Sequence, residues 1–129
     1  LLVWKIREGI RSGVETSRIK LYVNWYYHEY IVDHFAIEEN TICPILKCKP
    51  ELLQQLLTEH AQLNMLFNDS NVEASTLSSL ADLLEAHVRF EERTLFKLIQ
   101  EKASPEQLPT LASHPSPPVF IENETDVFW

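Results

Sequence analysis

Glycine is nearly missing from this chain, with 2 in 129 residues. So few left-handed turn residues leave little room for a turn-rich fold and suit long helices. Most of the 7 prolines lie outside the periodic segments, which fits the same picture. Cysteine is almost as scarce. Cys43 and Cys48 are five apart and match no zinc or redox spacing, so they read as two reduced thiols of a cytoplasmic protein. Basic residues are few, 11 against 19 acidic, for a net charge of -8. That balance argues against nucleic acid or an anionic membrane as the main partner, since both are negatively charged. No apolar run approaches the ~20 residues of a membrane span, and nothing at the start reads as a signal peptide. The length suits one domain with one core, and 45% hydrophobic residues is ordinary for a globular protein.

What the chain does have is one pattern stated twice. His34-Phe35-Ala36-Ile37-Glu38-Glu39-Asn40-Thr41-Ile42 matches His87-Val88-Arg89-Phe90-Glu91-Glu92-Arg93-Thr94-Leu95. In each copy the His and the first Glu are four apart, one turn along the same helix face. That face is apolar above and below. Tyr27, Ile31, His34, Glu38, Ile42 and Ile45 form one stripe; Leu77, Leu80, Leu84, His87, Glu91, Leu95 and Leu98 form the other. A carboxylate buried among leucines costs several kcal/mol unless something pairs with it. No Lys or Arg lies on either stripe. One isolated His-x3-Glu would be explained by water and mutual hydrogen bonding. Two copies with the same flanks point instead to a dinuclear metal site inside a helix bundle.

The remaining elements follow in order. Leu2, Ile6 and Ile10 form a first helix that Gly13 ends. Thr16 or Ser17 caps a second helix, which runs for roughly thirty residues by periodicity until Pro44 kinks or ends it. Lys49-Pro50-Glu51 starts a third, with Pro50 in its first turn and Leu53, Leu56, Leu57, His60, Leu63 and Phe67 on its apolar face. Residues 68–71 turn, and Ser70 with Glu73 forms a capping box for a fourth helix reaching about Lys102. Ser104-Pro105-Glu106-Gln107 signals a short fifth helix, and the prolines at 115, 117 and 118 exclude helix there. The expected architecture is all-α: an antiparallel up-down-up-down four-helix bundle over residues 1–103, with residues 104–129 as a short helix and a tail packed across it.

His60 interrupts the third apolar face and reads as a further metal ligand, given the company of the two His-x3-Glu pairs. Asn64, one turn on, is a poor transition-metal ligand and is either support for a ligand or simply polar. Tyr30, one turn before His34, either packs in the core or hydrogen-bonds a metal-bound species. His114, among prolines, reads as a surface residue. The two-fold pattern calls for a partner His on the first helix, and helical rise puts it at or upstream of Leu1.

His34-x3-Glu38, Glu59-His60 and His87-x3-Glu91-Glu92, in this order, resemble the hemerythrin-like (HHE cation-binding) family over nearly the whole chain. The opening Leu1-Leu2-Val3-Trp4-Lys5-Ile6-Arg7-Glu8-Gly9 and the closing Asp126-Val127-Phe128-Trp129 are similar to its bacterial branch. The resemblance implies an antiparallel four-helix bundle with a non-haem di-iron centre. It implies His34, His60 and His87 as terminal ligands and Glu38 and Glu91 as bridges. Two departures from the oxygen-carrier pattern stand out: Asn64 where a carrier has a further His, and Glu91 where it has an Asp. Fewer imidazoles fit branches that sense, bind or handle O2, NO or iron. A di-iron enzyme reducing peroxide or NO, and an interaction module with an incomplete metal site, are the competing expectations.

Overall fold

The computed structural model describes residues 1–95, 97 and 121–129. The described residues form four helices and no strand. The first is α1 (Leu2–Arg11). The second is one continuous run of α2 (Thr16–Tyr26), a π turn (Tyr27–Ile31) and α3 (Val32–Ile42). A 3-10 turn (Ile45–Cys48) leads to α4 (Pro50–Phe67), and the fourth helix is α5 (Ala74–Phe90) continued by a π turn (Glu91–Leu95). The expected helix at Ser104–Gln107 and His114 lie outside the described residues.

Several ends are as the sequence suggests. Gly13 takes φ 72° after α1, and the Gly13 and Val14 amides donate to the Ile10 and Gly9 carbonyls, a left-handed stop that glycine adopts without strain. Pro50 stands in the first turn of α4, where its missing N–H costs nothing. Pro44 ends the second helix instead of kinking it. Two expected caps are displaced. Glu15, not Thr16 or Ser17, precedes α2, and Glu73, not Ser70, precedes α5. The 68–73 link is instead stitched by Asx turns: Asp69 accepts the Asn71 amide at 2.9 Å and Asn71 accepts the Glu73 amide at 2.8 Å. These local bonds satisfy the backbone without a helix-capping side chain.

The core has two apolar clusters. The larger includes Leu2, Ile6, Ile19, Val23, Tyr27, Phe35, Leu63, Phe67, Leu77, Leu80 and Leu84. The smaller joins Ile42, Ile45, Leu46, Leu56 and Leu95. After the π turn at Tyr27–Ile31 the buried residues are Phe35, Glu38 and Ile42. His34, expected on the buried stripe, is displaced from it, with 53% of its side chain exposed. Leu57 is likewise exposed beside the buried Leu56 and His60.

Residues 121–129 lie against α1 and α2. Phe128 enters the larger cluster, and Arg18 donates to Asp126 through two bonds of 2.6 and 2.9 Å. Lys5, buried despite its charge, donates to the Tyr22 hydroxyl at 2.9 Å, pairs with Glu122 and sits 3.9 Å from the centre of the Trp129 ring. Lys20, also buried, donates to the Phe67 carbonyl at the end of α4, and burial lowers its pKa. At Gly9 both the tail and α2 press close on α1: a Cβ there would meet Ile19 Cδ1 and Phe128 Cε1 at 2.9 Å. Gly9→Val therefore lowers stability by about 1–3 kcal/mol through overpacking, seen as a reduced denaturation midpoint. An unchanged midpoint would show that the tail yields freely. No helix among the described residues is long and apolar enough to cross a membrane.

Candidate metal centre

Between the two apolar clusters lies a polar layer. On α3 the order is Phe35, Glu38, Ile42; on α4 it is Leu56, His60, Leu63; on α5 and its π turn it is Leu84, His87, Glu91, Leu95. Helical spacing thus sets one or two polar side chains from each helix at the same level, capped by hydrocarbon on both sides. Glu38, His60, His87 and Glu91 are all buried, and one donor atom from each lies within 4.8 Å of the other three. Nitrogen and oxygen ligands sit ~2.0–2.2 Å from a transition metal, so donors facing each other across one are roughly 4 Å apart. The cluster is of that size.

Its polar atoms are otherwise unsatisfied. Glu38 Oε1 and Oε2, His60 Nε2, His87 Nε2 and Glu91 Oε1 are buried without a hydrogen-bond partner. His87 Nε2 comes within 2.7 Å of Glu91 Oε1, yet the two converge on shared space without hydrogen-bond alignment. Each such buried orphan costs about 1–3 kcal/mol. A cation among them would satisfy one donor atom of each residue at once, so the donor set fits a metal.

Four of the five ligands expected from the sequence therefore come together. The fifth, His34, meets Glu38 Oε1 through its Nε2 from the exposed side. Tyr30 bonds its hydroxyl to the Ile121 backbone, accepting the amide at 3.0 Å, and packs against Trp25 and Tyr26. Asn64 accepts from the Tyr27 hydroxyl at 2.7 Å. Two acids escaped the sequence reading as participants. His60 Nδ1 donates to Glu39 Oε1 at 3.0 Å, and His87 Nδ1 donates to Glu59 Oε1 at 2.7 Å. The signal was present: each acid directly adjoins a predicted ligand, Glu38 or His60, and a metal-binding imidazole needs an acceptor behind it. Phe35 stacks on the His60 ring at 4.0 Å and 10°.

The electrostatics reflect the crowding of acids and imidazoles. Burial pushes the Glu38 carboxyl up to about 7, and the facing Glu91 adds to this while His34 opposes it. Burial also raises Glu91, but its contacts with His87 and Glu38 outweigh that and leave it lowered. Burial lowers His60. His87 is pulled down by burial, but Glu91 and Glu59 reverse this and raise it. The facing Glu38 carboxylate raises His34. A cleft of about 160 Å³ opens on His34, Glu38, His87 and Glu91, with apolar walls that include Leu2, Tyr26, Ile31 and Leu84. That is room for a few small atoms beside the cluster.

Helices converging buried imidazoles and carboxylates on one point define a helical cation-binding domain. The chain belongs to the hemerythrin HHE cation-binding domain family, whose family model matches residues 5–99. No curated protein and no solved structure matches it.

Proposed function

We propose that this domain holds a non-haem di-iron centre and uses it to sense, bind or handle O2, NO or iron. The observation that carries the reading is the Glu38 carboxylate. Both its oxygens are buried without hydrogen-bond partners, and a different imidazole approaches each: His34 Nε2 at Oε1 and His60 Nε2, 3.9 Å away, at Oε2. A carboxylate flanked in this way suits a bridge between two ions. His34, His60 and His87 would then be terminal ligands, and Glu38 and Glu91 would be the carboxylates shared by the two ions. A mixed imidazole and carboxylate set suits iron. Bound iron supplies a one-electron redox change and an open position for a small ligand.

The same reading includes an antiparallel up-down bundle. Along α3 the chain passes from the larger apolar cluster to the smaller, along α4 back again, and along α5 forward once more. The links 12–15, 43–49 and 68–73 are short, as neighbouring antiparallel helices require. A cytoplasmic location belongs to it too, in keeping with the free thiol of Cys43.

Anaerobic loading with Fe(II), followed by metal analysis and exposure to air, tests the proposal. The expected result is uptake of at least about one iron per chain, with a near-ultraviolet oxo-iron band that His87→Ala removes. No iron uptake would leave a module without a working metal site. Catalytic consumption of peroxide or NO by the loaded protein would identify the enzyme instead of the sensor.

A further inference from the structure

The two most deeply buried imidazoles of the cluster are each braced from behind by an acid on the preceding helix. Glu39 on α3 accepts from His60 on α4, and Glu59 on α4 accepts from His87 on α5. We propose that Glu59, and Glu39 in a weaker form of the same role, are positioning residues that set the cation affinity of the site without touching the cation. The inference rests on the metal reading above and extends it to residues outside the donor set.

A neutral imidazole ring carries one N–H and one lone pair, and the partner of one nitrogen decides the state of the other. A carboxylate at Nδ1 keeps the proton there, so the lone pair stays on Nε2. In both residues Nε2 is the buried, unpartnered atom facing Glu38 and Glu91. Without the acid, the ring could carry its proton on Nε2, donate it to those carboxylates, and occupy the space of the cation. The acid also fixes ring rotation and makes Nε2 a stronger donor to metal.

The placement follows from helix geometry. A residue beside a ligand points about 100° away from it round the helix axis, toward the neighbouring helix. Glu39 adjoins Glu38, and Glu59 adjoins His60. α3 and α4 thus each deliver one ligand and, from an adjacent position, the brace for a ligand on the helix that follows. Glu92 adjoins Glu91 in the same way but is exposed. The two braces are unequal. Glu59 has 16% of its side chain exposed and a 2.7 Å bond; Glu39 has 41% exposed and a 3.0 Å bond. Water can take the place of Glu39 far more readily than that of Glu59.

Co(II) titration against a competing chelator, with the visible Co(II) spectrum and the melting of the metal-free protein recorded alongside, separates positioning from folding. Glu59→Ala is expected to weaken Co(II) binding by about 10- to 100-fold and alter the spectrum. Glu59→Gln, whose amide oxygen still accepts from Nδ1, recovers most of the affinity. Glu39→Ala has a smaller effect, and Glu92→Ala none. Metal-free Glu59→Gln melts with the parent, so it decides the matter even where Glu59→Ala folds poorly. Parental affinity in Glu59→Ala, or Glu59→Gln as weak as Glu59→Ala, overturns the proposal. A parent that takes up no Co(II) removes the metal reading itself. A parent that loads normally while Glu59→Ala matches it removes only the positioning role.

Discussion

Glu38→Gln is expected to cost about two orders of magnitude in cation affinity while leaving the metal-free fold at pH 8 no less stable than the parent. The loss follows from sharing a binding free energy of roughly 10–16 kcal/mol among four or more ligands, near 3 kcal/mol each. The stability half follows from the carboxyl's position. Its pKa is pushed up to about 7, so above that pH the ionised form is held against burial and against Glu91. A neutral isostere relieves both. The variant thus sets function against stability at one residue. Chelator competition and thermal melting in the same buffer give the two numbers. A variant that loses stability like a truncated core residue, or that binds as the parent does, contradicts the account.

The outcome at Glu38 illustrates what a linear pattern can reveal. Glu38, His60, His87 and Glu91 were legible because a titratable side chain on an apolar helical stripe has few explanations, and the His-x3-Glu pair occurs twice. His34 was legible as a participant but not as an exposed one. Next to the π turn at Tyr27–Ile31 the buried position falls to Phe35 instead of His34, while Glu38 and Ile42 keep theirs, and hydrophobic periodicity alone does not register so local a change. Glu39 and Glu59 stand one position off the stripe, where an acid normally reads as solvated. Only the packing of α3 on α4 and of α4 on α5 brings them to His60 and His87. Lys5 was hidden for a similar reason: its partner Glu122 comes from the far end of the chain. The helices themselves were plain from spacing, whereas their first residues depended on local Asx bonding at Asp69 and Asn71 that competes with a capping box.

Stripping the metal from the loaded protein is expected to lower its melting temperature by about 10 °C, and by less as the pH falls toward 5.5. A cation at one hundred times its dissociation constant adds about 2.7 kcal/mol to the folded state. For a domain of this length each kcal/mol is worth roughly 3–5 °C. The pH dependence comes from protons the cation must displace. Glu38 holds its proton up to about 7, so below that pH binding competes with protonation and weakens by about tenfold per unit for each proton released. The metal-free protein responds in the opposite sense. A carboxyl raised in the fold from 4.5 contributes stability that is fully present below 4.5 and is lost as pH rises through about 7. His34 and His87, also raised, lose their contribution on the same upward course above 6.5. His60, lowered by burial, runs the other way: its contribution is present above 6.5 and disappears as pH falls through its folded value. Across pH 4.5 to 7 the Glu38 carboxyl sets the direction, because its shift spans that interval. The gap between loaded and stripped protein therefore widens from pH 5.5 to 7.5, as melting curves with and without chelator at three pH values would record. A gap of constant width would mean that binding displaces no proton from Glu38, and Glu38 would then not be a ligand.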